Sequence, residues 1–228
     1  MTPEHRIPEL DAARGICILG MVVVHLIYDL TELFPVLDWT YPPFFLLLKN
    51  QGSIAFFLIS GICATLGRRH LRRGLLVLGC AVLVSAATAL TGAVPIRFGV
   101  LHCLGFCMLL WDFWKDLSTA ALCCSGAAMI AFGFLFRNFS VRMPFLYPLG
   151  LTAPDFISAD YFPLLPYFGF FLLGAALGRR LYAAKRSLFP HCISHPVIRF
   201  FCICGRYPLW IYLLHQPFLL FLIGILTG

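Results

Sequence analysis

Apolar residues run along this chain in long blocks separated by short polar or proline-bearing intervals. The usual block length, about 20 residues, is what a helix needs to cross a bilayer. Seven blocks stand out: 12 to 33, 43 to 66, 74 to 93, 98 to 114, 118 to 136, 161 to 178 and 205 to 226. The pattern predicts an all-α fold, a polytopic transmembrane helical bundle of about seven spans, in a single domain over residues 1–228. The fourth block is short, and Lys49, Asn50 and Gln51 interrupt the second, so either is expected to be tilted or broken. No internal repeat or low-complexity stretch divides the chain. The intervals 137 to 160 and 179 to 204 read as the main loops on the two sides of the membrane.

The first block is the least ordinary. Asp11, Arg14, His25 and Asp29 sit inside it, and at 100° per residue they fall within about 60° of one another around a helix axis. Ionisable groups at membrane depth are costly and usually face a protein interior or a water-filled cavity. The block is longer than a signal-peptide core and carries charges, so it is expected to remain as a span.

Composition agrees with the block pattern. Of 228 residues, 61% are hydrophobic and only 12% charged, against roughly 25% charged in soluble domains. An integral membrane protein is expected. The chain shows no Gly-rich phosphate loop, zinc-protease His-Glu-x-x-His or Gly-x-Ser-x-Gly elbow.

Charge then orients the spans. With the N-terminus inside, 13 of the 17 basic residues fall at inward ends, among them Arg6, Arg14, Arg68, Arg69, Arg72, Arg73 and Arg206, while Lys49, Arg97, Arg137 and Arg142 fall outward. This is the asymmetry of the positive-inside rule. It also accounts for the net charge of +7, which gives no reason to expect a nucleic-acid partner.

The ten cysteines lie mostly within apolar blocks without a regular framework and read as small buried hydrophobes. A metal reading of His191, Cys192, His195, Cys202 and Cys204 matches no common ligand spacing. No metal site is expected.

Arg14 and His25 are three helical turns apart, about 16 Å. Arg14 can hold an anion arriving from the cytoplasm while the His25 imidazole exchanges protons deeper in the membrane. Asp29, one turn on, can orient that imidazole. The plainer alternative is that Arg14 snorkels and His25 bonds a neighbouring helix. Arg68, Arg69, Arg72 and Arg73 can neutralise phosphates, or serve only topology and lipid headgroups. Arg97 and His102 open the fourth block. Tyr212, His215 and Gln216 form a polar cluster in the last one, worth burying only against partners.

These residues carry a resemblance. Glu9-Leu-Asp-Ala-Ala-Arg-Gly-Ile16, the spacing from Arg14 to His25, Phe56-Phe-Leu-Ile-Ser-Gly-Ile62, Arg97-Phe-Gly-Val-Leu-His102 and Pro208-Leu-Trp-Ile-Tyr-Leu-Leu-His-Gln-Pro217 resemble bacterial transmembrane acyltransferases. The likeness is to the heparan-alpha-glucosaminide N-acetyltransferase catalytic-domain family and, more distantly, to the acyltransferase-three group. It implies an enzyme of the bacterial cytoplasmic membrane that takes an acetyl or other acyl group from cytoplasmic acyl-coenzyme A (acetyl-CoA or another acyl-CoA). The acyl group would pass to an outward-facing sugar or amine acceptor.

Under that reading His25 and Asp29 are catalytic, and Arg14, Arg68, Arg69, Arg72, Arg73 and Arg206 hold the coenzyme. Arg97, His102 and His215 bind the acceptor or the developing oxyanion. Membrane lipids are expected partners, and a homodimer stays open. The lysosomal member that names the family is similar in having a catalytic histidine after its first span, but Thr31 to Thr40 contains none. A small proton-coupled transporter or lipid flippase using the same polar stripe is the rival reading.

Overall fold

The computed structural model describes residues 7–92, 94–190 and 194–227. Arg6, counted among the basic residues, and His191 and Cys192 of the metal reading lie outside the described residues. The regular elements are α1 (Pro8–Tyr28), a π-helical segment (Asp29–Leu33), α2 (Pro43–Leu66), α3 (His70–Leu90), α4 (Val100–Trp114), α5 (Thr119–Phe136), a 3-10 turn (Pro144–Leu149), α6 (Leu164–Leu181), α7 (Pro196–Arg206) and α8 (Pro208–Thr227). Among the described residues β structure is limited to isolated bridges. The all-α expectation holds.

Five helices are long and apolar enough to cross a membrane, and a sixth counts if the two parts of α2, bent by 44°, form one span. That bend falls between Lys49 and Gln51, where polar residues interrupt the second apolar block. The 15-residue α4 is apolar but shorter than a perpendicular crossing requires. Large apolar side chains such as Leu75, Leu83, Phe113 and Phe221 stay exposed along these helices, as a lipid environment requires. The protein is an integral membrane protein.

The chain divides into two compact units, Met1–Phe56 with Arg186–Gly228, and Phe57–Lys185. In the first unit α1 begins at Pro8, with Glu9 and Asp11 in the first turn to complement the helix dipole. It closes through the π segment, where Phe34 N–H bonds the carbonyl of Asp29 at 2.7 Å. Pro35 follows and forces the preceding residue out of helical geometry, as Phe34 shows (φ −123°, ψ 77°).

The interval 179 to 204, expected as a loop, carries α7. This helix is 11 residues long, about 16 Å and too short to span; it buries Cys202 and Gly205 while exposing Val197, Phe200 and Ile203. The last apolar block, expected from 205, instead breaks at Tyr207 (φ −122°, ψ 38°). Pro208 disfavours helical backbone at the residue before it and starts α8 afresh.

α1 and α7 touch backbone to backbone. A Cβ added at Gly15 would collide with the Phe201 carbonyl, and one at Gly205 with the Asp11 carbonyl. Around this crossing the Cys202 thiol reaches Pro8 O at 3.2 Å, and the Glu9 carboxylate accepts from Ser187 Oγ (2.6 Å) and Leu188 N (2.7 Å).

The second unit is built on the same device. Gly126 of α5 and Gly169 of α6 each sit against the other's carbonyl, the small-residue packing by which membrane helices gain close van der Waals contact. Phe57, Leu122, Phe171 and Leu172 fill its core.

Candidate active site

The polar stripe of α1 meets partners from α7 and α8. At its start Asp11, only 5% exposed, pairs with Arg14 one turn on at 3.0 Å, and Arg206 at the end of α7 approaches its other oxygen at 4.0 Å. Arg14 Nη1 also donates to Gly205 O at 3.3 Å. Its buried Nε has no hydrogen-bond partner. Among the described residues two guanidinium groups, Arg14 and Arg206, thus approach the Asp11 carboxylate, beside an unused donor on Arg14. Such an arrangement fits an anionic ligand.

Toward the other end of α1, His25 and His215 stand edge to face, with ring centroids 4.9 Å apart. Backbone carbonyls fix both tautomers. His25 Nδ1 lies 2.9 Å from Met21 O, and His215 Nδ1 lies 2.6 Å from Tyr212 O. A carbonyl can only accept, so in the neutral rings each Nδ1 carries the hydrogen and each Nε2 is left with its lone pair. His25 is presented as a base, and His215 Nε2 is buried without a partner.

Asp29 is 1% exposed. Its carboxylate does not take up His25 Nδ1, as the sequence reading expects; both oxygens face Gln216 Nε2 of α8, at 3.1 and 2.9 Å. The backbone supplies His25's orienting bond, and Asp29 acts on the imidazole through charge. Gln216 Oε1 is buried without a donor, a cost of about 1–3 kcal/mol. Beyond Asp29, Tyr41 joins Thr31 and Glu32 by hydrogen bonds, while Lys49 Nζ lies over the rings of Tyr28 (5.4 Å) and Tyr41 (5.0 Å).

The other expected residues belong to the second unit. His102 sits in the first turn of α4, where its Nδ1 accepts from Gly99 N–H at 3.3 Å and its ring stacks on Phe98. Asp160 accepts from Val100 N–H at 2.9 Å. Arg97 Nε donates to Ile157 O, its backbone N–H donates to Ser158 Oγ, and its guanidinium covers the ring of Phe156. Arg68, Arg69, Arg72 and Arg73 are exposed around the start of α3. Among the described residues no cluster of three or more His, Cys, Asp or Glu could hold a metal ion.

The structure therefore groups Asp11, Arg14 and Arg206, then His25, His215, Asp29 and Gln216. Gln216 is the member whose role the sequence reading missed. Its only signal was an amide in an otherwise Leu/Ile/Phe-rich span.

The family model described as "Heparan-alpha-glucosaminide N-acetyltransferase, catalytic" matches residues 6–217. No curated protein and no solved structure matches the chain.

Proposed function

From the premise that this chain belongs to the heparan-alpha-glucosaminide N-acetyltransferase catalytic family, a family of membrane acetyltransferases, we propose that it moves an acetyl or other acyl group from acyl-coenzyme A to a sugar or amine acceptor. The supporting observation is the bond from His25 Nδ1 to Met21 O, which leaves Nε2 bare. In the direct route the acceptor nitrogen or oxygen attacks the thioester carbon and His25 Nε2 takes its proton. The C–S bond then breaks, and the leaving thiolate is neutralised by the proton from the imidazolium. In the two-step route His25 Nε2 attacks the thioester carbon and the C–S bond breaks, releasing the coenzyme thiolate. The acceptor then attacks the acyl carbon, the N–acyl bond breaks to restore His25, and the acceptor's proton passes to the thiolate. Arg14 and Arg206, with one carboxylate between them, suit the phosphates of the coenzyme.

The proposed topology keeps seven spans, with α4 as the short one and the N-terminus inside. It places Arg14, Arg206 and the Arg68 to Arg73 cluster on the cytoplasmic side, where acyl-coenzyme A is made available. Reporter fusions at Arg73, Arg142 and Gly228 are expected to read inside, outside and outside. A cytoplasmic signal at Gly228 would remove the odd span count.

The decisive experiment uses purified protein, acetyl-coenzyme A and glucosamine as the probe acceptor, with mass spectrometry of ligands that copurify. Transfer that disappears in His25→Ala supports the enzyme. Proton-coupled flux without any acceptor would replace it with the transporter.

A further inference from the structure

Gln216 makes a contact that packing alone does not call for. It reaches from α8 to place one nitrogen across both oxygens of a carboxylate that is almost wholly buried. An amide NH2 group facing two oxygens satisfies a carboxylate anion, because each oxygen is then an acceptor. A protonated acid would put its own hydrogen on one of them and lose that fit. The opposite amide orientation would press Oε1 against the same oxygens. The observed one leaves Oε1 buried without a donor, so the amide satisfies Asp29 at its own expense.

A buried anion needs a positive partner. Among the described residues the titratable groups on the α8 side are His25 of α1, with which Asp29 interacts electrostatically, and His215 and Tyr212 of α8, while Glu32, Tyr41 and Lys49 meet one another beyond Asp29. The guanidinium pair is at the opposite end of α1. His25 and His215 are too close for both to carry a charge readily. The one positive charge that forms on the imidazole pair when His25 takes a proton therefore matches the single negative charge on Asp29. The bond from His25 Nδ1 is already spent on Met21 O, so Asp29 stabilises the imidazolium across space. Its position depends on what holds it.

We propose that Gln216 is a positioning residue that keeps Asp29 ionised and fixed as the counter-charge of His25. This rests on the acyltransferase reading above and deepens it. When His25 takes the acceptor's proton, the charge that forms meets a carboxylate already in place. No side chain then needs to move during the step, which is the advantage of a preorganised site.

The test is a cycle of Gln216→Met and Asp29→Asn, singly and together, assayed with acetyl-coenzyme A and glucosamine. Gln216→Met is expected to lower kcat roughly ten- to hundred-fold, a part of the roughly 100- to 10,000-fold that a general base supplies. The KM for acetyl-coenzyme A is expected to stay unchanged, and Gln216→Met should cost nothing further in kcat once Asp29 is Asn. Normal kcat, or an equal loss in both backgrounds, overturns the inference. If Gln216→Met does not fold, Gln216→Asn keeps the amide but falls one methylene short of Asp29. The same kcat loss is expected, and normal turnover again overturns the inference.

Infrared difference spectroscopy reads the same point without turnover. Gln216→Met is expected to convert a carboxylate band into a protonated-acid band, and the change should be absent in the Asp29→Asn background. An unchanged spectrum overturns the inference. His25→Ala in the same preparation separates the two levels: transfer that survives it defeats the acyltransferase reading, whereas normal Gln216 variants beside an inactive His25→Ala defeat only this inference.

Discussion

His25 in α1 and His102 in α4 both sit in apolar helices, yet backbone groups set their rings oppositely. His25 turns Nδ1 to the carbonyl of Met21 one turn earlier, whereas His102 turns Nδ1 to the N–H of Gly99 at a helix start. The first must donate from Nδ1 and so keeps a basic Nε2; the second must accept at Nδ1 and so, when neutral, carries its hydrogen on Nε2. Position along the helix makes this difference. A helix start offers unsatisfied N–H groups, and a helix interior offers only carbonyls already in the ladder. The ring that caps α4 can donate to a ligand, and the ring inside α1 can take a proton from one.

The sharpest way to break this comparison is to remove His25. His25→Ala is expected to lower acyl transfer by roughly 100- to 10,000-fold with little change in thermal stability or coenzyme A binding. Turnover alongside thermal unfolding of the same sample checks it. Next comes Arg14→Gln, which keeps His25 but removes the cation paired with Asp11. Coenzyme A binding is expected to weaken by about 1.5–3 kcal/mol, the scale of a hydrogen bond to a charged group, and to lose salt dependence in titrations. Equal affinity would reduce Arg14 to a structural partner of Asp11.

Gly205→Val tests the crossing that brings Arg206 to Asp11. Overpacking against the Asp11 carbonyl is expected to cost about 1–3 kcal/mol of stability, measured as a lower thermal midpoint, and to weaken coenzyme A binding with it. The smallest effect is expected at His102. His102→Ala deletes a cap, a loss of about 0.5–2 kcal/mol, so its fall in activity is accompanied by a fall in stability. A His102→Ala protein of unchanged thermal midpoint would show that the Gly99 contact contributes nothing to the fold, and would dissolve the contrast.

The helices were largely legible because each apolar block is long and its neighbours are polar or proline-bearing. α7 was not. Eleven residues whose apolar run, Phe200 to Cys204, is bounded by Arg199 and Arg206 fall below what a block pattern can resolve, and the helix abuts α8 with a single residue between. Within the site, Asp11 with Arg14 was readable because residues three apart share a helix face. Arg206 beside Asp11 and Gln216 on Asp29 join opposite ends of the chain, and periodicity says nothing about such pairs. Asp29 was placed on the correct face of α1, but its partner could not be inferred. A carboxylate one turn beyond a histidine has the right spacing for a direct bond, and only the Met21 carbonyl shows that the ring nitrogen is already engaged.

The π segment that closes α1 gives the chain a spare residue just where the site ends. Phe34 N–H reaches back five positions to Asp29 O, one more than an α-helix uses. Deleting Leu33 would bring the next N–H to the same carbonyl at ordinary α spacing, with His25 and Asp29 untouched upstream. A deletion of that one residue would therefore re-aim the segment from Phe34 to Pro42 while His25 and Asp29 keep their places on α1.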